Sequence, residues 1–71
     1  MAYSIHFPTK TLETMKKLGL KESDVEHAFG HGQDLGNGKV VMKYKGYEIG
    51  MFYIQDRGQY IITYVWTRER L

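Results

Sequence analysis

Gly58-Gln59-Tyr60-Ile61-Ile62-Thr63-Tyr64-Val65-Trp66-Thr67-Arg68-Glu69-Arg70 is the stretch whose reading decides the fold. From Tyr60 to Thr67 it is almost wholly β-branched and aromatic, with no Gly or Pro. Such residues fit a pleated, half-buried surface. A run this apolar belongs in the middle of a sheet or packs on both faces. It reads as the last strand, laid against a preceding hairpin and covered by helices from the N-terminal half.

Working back from it, Asp56-Arg57-Gly58 reads as a three-residue turn with Gly58 in the left-handed region and a bulge, which pairs Tyr53 with Ile61. Tyr47 to Ile54 is the strand before the turn. Gly50 lies inside it, as a bulge, a bend or space for a neighbour's bulk. Lys39 to Lys45 alternates in polarity, and Lys45-Gly46 reads as a two-residue hairpin loop. That loop sets Tyr44 against Tyr47, Met42 against Ile49, and Lys43 against Glu48 as a cross-strand ion pair. One sheet face then collects Val40, Met42, Ile49, Met51, Tyr53, Ile61, Thr63 and Val65 and is assigned to the helices. The other collects Lys39, Lys43, Glu48, Phe52, Tyr60, Ile62, Tyr64 and Trp66. A slip of one residue exchanges the faces of the last strand.

The N-terminal half is helical by pattern. Tyr3 to Phe7 alternates and reads as a short strand that Pro8 closes. Thr9 is an N-cap for a helix over Lys10 to Leu18, with Leu12, Met15 and Leu18 as its buried stripe and Gly19 at its end. Lys21 to Phe29 is a second helix with Val25, Ala28 and Phe29 on one face, stopped by Gly30 and Gly32. Residues 30–38 are a glycine-rich connector without the spacing of a phosphate-binding loop. The expected fold is one α+β domain spanning residues 1–71: a helical hairpin packed on a three-stranded antiparallel β-meander, with a short N-terminal strand at its edge.

The chain has 71 residues and no cysteine, which excludes disulfides and thiolate zinc sites and fits a reducing compartment. No apolar run approaches the ~20 residues of a membrane span, and no signal-peptide pattern opens the chain. A cytoplasmic protein with no membrane partner is the expectation. The net charge of +2 is unevenly placed: residues 1–38 carry −1 and residues 39–71 carry +3. Excess positive charge in the β-rich half fits a polyanion as partner and equally fits solubility charge on an ordinary surface.

Ile5-His6-Phe7, Leu12-Glu13-x-Met15-Lys16-x-x-Gly19-Leu20, Asp24-Val25-Glu26-x-Ala28-Phe29-x-x-Gly32 and Ile61-Ile62-Thr63-Tyr64-Val65-Trp66 together resemble a small bacterial domain family related to the RelE-like and BrnT-like ribonuclease toxins. The likeness covers most of the chain and lies mainly at core and turn positions. Lys10, Thr14 and Leu18 stand where that family usually has His, Arg and Arg. The resemblance implies the α+β fold, RNA as ligand, and an antitoxin or other protein as partner.

The residues themselves allow metal-free RNA cleavage, which needs a base for the 2′-hydroxyl, a cation for the phosphorane and an acid for the leaving oxygen. His6, Tyr64 and Arg68 are the candidate catalytic set, with His6 as acid and base. Lys43, Lys45, Trp66 and Arg70 are the candidate nucleic-acid contacts: Arg clamps phosphate and Trp stacks on an unpaired base. No cofactor is implied. His27 and His31 are spaced by four, but Gly30 is expected to end the helix between them, so no metal site is assigned. The competing reading is a non-catalytic homodimer. Six Tyr, three Phe and one Trp are many for so small a core, and a second chain would cover the face bearing Phe52, Tyr60, Ile62, Tyr64 and Trp66.

Overall fold

In a computed structural model, which describes residues 4–69, the decisive stretch forms the longest strand of a five-stranded sheet. The elements are β1 (Ser4–His6), α1 (Thr9–Leu18), α2 (Glu22–His31), β2 (Gln33–Gly36), β3 (Lys39–Lys43), β4 (Tyr47–Asp56) and β5 (Gln59–Glu69). The order across the sheet is β1-β5-β4-β3-β2. β1 runs parallel to β5 and every other pair is antiparallel. Tyr3 and Arg70 lie outside the described residues.

The α+β class and the meander β3-β4-β5 match expectation, but the sheet is larger and mixed. The glycine-rich connector supplies the extra strand. Gln33 pairs with Val41 and Asp34 with Val40. The Asp34 carboxylate anchors the strand by accepting hydrogen bonds from the Gly36 N–H at 2.8 Å and the Tyr53 hydroxyl at 3.0 Å. That phenol is raised above its ordinary pKa, first by its hydrogen bond to Asp34 and then by burial and nearby negative charge.

Both helices cover one face of the sheet. α1 is seated over β5 and α2 over β3 and β4, rather than closing on each other as a tight hairpin. α1 ends at Gly19, whose left-handed conformation lets its N–H return to the Lys16 carbonyl. α2 opens on a reciprocal cap in which the Lys21 N–H donates to the Asp24 carboxylate at 2.8 Å. It then continues through Gly30 to His31, two residues beyond the expected end at Phe29. The core holds Phe7, Met15, Val25, Ala28, Val40, Ile49, Met51, Ile62 and Val65.

The inward stripe of α1 is Thr11 and Met15, not Leu12, Met15 and Leu18. Leu12 remains 37% exposed and Leu18 38%. The helix is rotated so that the Thr11 hydroxyl donates 2.7 Å to the Ile62 carbonyl, a buried bond. Thr11→Val keeps the shape and removes the donor. It is expected to cost about 1–3 kcal/mol in urea unfolding, because the carbonyl loses its partner in a dry site.

The β4–β5 register differs from the expected one at two places, each a shift of one residue in the same direction, so that the second restores the facing of the side chains. The turn has two residues, not three: Arg57 (φ 51°) and Gly58 (φ 80°) are both left-handed, and Asp56 pairs with Gln59. Two successive positive φ values make the tight hairpin turn that matches strand twist. Tyr53 therefore pairs with Ile62 and Ile54 with Ile61. A bulge then places Thr63 as an extra residue, so that Phe52 pairs with Tyr64 and Met51 with Val65. Ahead of the bulge the faces are exchanged. Ile62 is buried against the helices and Tyr60 packs on Phe29 and Tyr53, while Ile61 takes the open face. Beyond the bulge, Tyr64, Val65 and Trp66 face as expected.

Candidate nucleic-acid interface

The face of the sheet away from the helices is built in cross-strand rows that follow from this register. Arg68, Glu48 and Lys43 form one row. The next is Trp66, Gly50, Val41 and Gln33, and the next Tyr64, Phe52 and Lys39. The far row is Ile54, Ile61 and His6.

Gly50 decides the shape of this face. A Cβ there would run into the six-membered ring of the Trp66 indole. The indole therefore lies across the strand where no side chain stands, which is the third of the roles allowed for this glycine. It shields Val41, which is buried although it points away from the helices. Phe52 lies against the indole at 5.1 Å between ring centres, and Tyr64 is stacked beside it at 6.2 Å. The Lys39 ammonium lies 5.5 Å from the indole centre, within reach of a cation–π contact. Phe52 is 41% exposed and Tyr64 51%.

Beside the indole a groove of about 300 Å³ opens among Leu35, Lys39, Lys43, Glu48, Trp66 and Arg68. Glu48 stands between Lys43 and Arg68 in register and offsets one of them. With Lys39 the groove keeps an excess of positive charge. Lys43 and Arg68 lie in the row on one side of the indole, and Lys39 with Phe52 and Tyr64 in the row on the other.

The structure thus brings together Lys43, Tyr64, Trp66 and Arg68, with Lys45 exposed in the turn past Lys43. It does not bring His6 to them. His6 sits beside Ile61 at the opposite end of the face, and the strand from Ile61 to Arg68 puts about 20 Å between their rows. Tyr60 and Ile62, expected on this face, belong to the helix side. Lys39 and Phe52 were legible as residues of this face, but their closeness to Trp66 depends on Gly50.

A larger hollow of about 600 Å³ lies at the end of the helix side, among Leu18, Asp24, His27, Tyr44, Tyr47 and Glu69. Its lining sets the carboxylates of Asp24 and Glu69 beside Arg68 and His27. The Tyr44 phenol there is raised above its ordinary pKa by burial first, then by Tyr47 and Asp24. His27 and His31 do share a helix face, stacked at 4.4 Å. Among the described residues, however, no three His, Asp or Glu side chains gather as metal ligands. Among the described residues, no helix is long and apolar enough to cross a membrane. Compared with known protein families, curated proteins and solved structures, the chain matches none.

Proposed function

We propose that the protein binds single-stranded RNA on the open face of its sheet. One observation carries the reading: the Trp66 indole laid over Gly50, flanked by Phe52 and Tyr64, with Lys39, Lys43 and Arg68 around it. A base has a π-face to stack on such a surface, and its phosphates follow the cations. The resemblance to RelE-like domains favours the same ligand. Binding is better supported than cleavage, because His6 stands too far from Arg68 for one phosphodiester to touch both.

Trp66 is the single tryptophan, so its fluorescence reports the site directly. Titration with a short single-stranded RNA is expected to quench it, with affinity falling linearly in log–log against salt. Trp66→Ala should weaken binding about 5- to 150-fold, the loss of one stacking platform. Lys43→Ala and Arg68→Ala should each flatten the salt slope by about 0.7, one phosphate contact apiece. Absence of salt-dependent binding would sink the reading and leave the face as a protein interface.

A further inference from the structure

Along β4 the open face reads Glu48, Gly50, Phe52, and the Trp66 indole fills the place that Gly50 leaves empty. A base stacked on that indole has an aromatic side chain at one border and a carboxylate at the other. Phe52 lies 5.1 Å from the indole between ring centres. Glu48 is two residues from Gly50 in the other direction, about 7 Å along an extended strand. It lines the same groove as Trp66.

Phosphate binding alone does not explain this carboxylate. In a groove that follows phosphates it repels them, and the groove would be more basic without it. Glu48 is half-buried, opposite Lys43 on one side and Arg68 on the other, both of them exposed. Among the described residues, no hydrogen bond or ion pair closes on its carboxylate. The two cations offset its charge in register and leave its oxygens open to donors in the groove. An ionised carboxylate is an acceptor only, with two oxygens side by side.

One of the four RNA bases answers two adjacent acceptors with two adjacent donors. The Watson–Crick edge of guanine carries N1–H beside the N2 amino group, and each donates to one carboxylate oxygen. In adenine and cytosine the amino donor stands next to a ring-nitrogen lone pair, which meets the second oxygen unfavourably. In uracil the N3–H lies between two carbonyl oxygens. Unpaired bases are read on these edges, and a bidentate contact discriminates strongly between them.

We infer that Glu48 makes the site selective for guanine. The base stacks on the Trp66 indole and donates its N1–H and one N2–H to the Glu48 carboxylate, while Lys43 and Arg68 meet the flanking phosphates. This rests on the RNA-binding reading and adds the base that the site prefers. Glu48 is then a specificity-determining residue, which neither composition nor net charge singles out.

The test is fluorescence anisotropy of 5′-labelled pentanucleotides in which a central guanosine, inosine, adenosine, cytidine or uridine is flanked by uridines. Guanosine is expected to bind at least about tenfold tighter than adenosine, cytidine or uridine. Inosine lacks the N2 amino group and should fall between. Glu48→Gln keeps the shape and turns one acceptor into a donor. It should cut the guanosine preference to less than about threefold without weakening the all-uridine RNA, since a negative charge leaves the groove. Circular dichroism checks its folding, and the comparison of guanosine with inosine and adenosine needs only the parent protein. Equal binding of all five RNAs by the parent would overturn the inference and leave RNA binding intact. So would a Glu48→Gln variant that shifts every RNA by one common factor, as a carboxylate acting by charge alone would. Failure of all five to bind at low salt would overturn both.

Discussion

Ile62→Ala is expected to remove about 2–5 kcal/mol of stability, and its neighbour Ile61→Ala less than about 1 kcal/mol. Two isoleucines in one strand differ this much because the two-residue turn and the bulge at Thr63 decide which of them faces the helices. Ile62 is fully buried in the core with Met51, Val65 and Met15. Truncating it opens a cavity between sheet and α1 that neither can collapse into. Ile61 lies on the open face beside Ile54, which is itself exposed. For a domain of this size the whole stability is about 4–10 kcal/mol, so Ile62→Ala removes a large part of it. Urea unfolding midpoints measured side by side provide the check. The reverse order, with Ile61 the costlier, would place the core on the face that a three-residue turn predicts. Equal losses would show a strand with both faces packed.

Local chemistry made much of this fold legible in the sequence. Gly19 as a helix end, the Val25-Ala28-Phe29 face, the Lys43–Glu48 register and the apolar run of the last strand are each fixed by residues close in the chain. The sequence reading failed where a tertiary choice overrode local pattern. Arg57 accepts a left-handed conformation, as few residues other than glycine, Asn and Asp do, and nothing around it announces this. The Thr63 bulge restores the expected faces downstream, so half the strand reads correctly for the wrong turn. Gln33-Asp34-Leu35 has no strong strand propensity and becomes an edge because β3 offers a free ladder and Asp34 reaches Tyr53. Thr11 replaces Leu12 on the inner stripe because a carbonyl waits at Ile62. The interface was legible as a set of residue types and not as a geometry. Trp66 and Lys43 were readable as residues of the open face. The separation of His6 from Arg68 follows only from the short parallel pairing of β1 with the start of β5.

Gly50 carries the other large effect, and its sign depends on Trp66. Its backbone is not in the left-handed region, so alanine fits the local conformation without strain. By itself the substitution should stabilise the strand by about 0.4–1 kcal/mol, through a less flexible unfolded chain. In the native protein the new methyl enters space filled by the indole. Gly50→Ala is therefore expected to cost about 1–3 kcal/mol as Trp66 is lifted and Val41 uncovered. In a Trp66→Ala background the same change should become neutral or stabilising. That reversal gives a coupling of about 1–4 kcal/mol in a double-mutant cycle. A cost that persists without the indole would mean that Gly50 is required for some other contact. The cycle also separates packing from recognition. If bases stack on the flat indole, Gly50→Ala weakens RNA binding nearly as much as Trp66→Ala, although it leaves every aromatic and cationic group in place. If stability changes sign as expected and RNA affinity stays the same, the indole serves only to cover Val41, and the stacking surface is Tyr64 and Phe52.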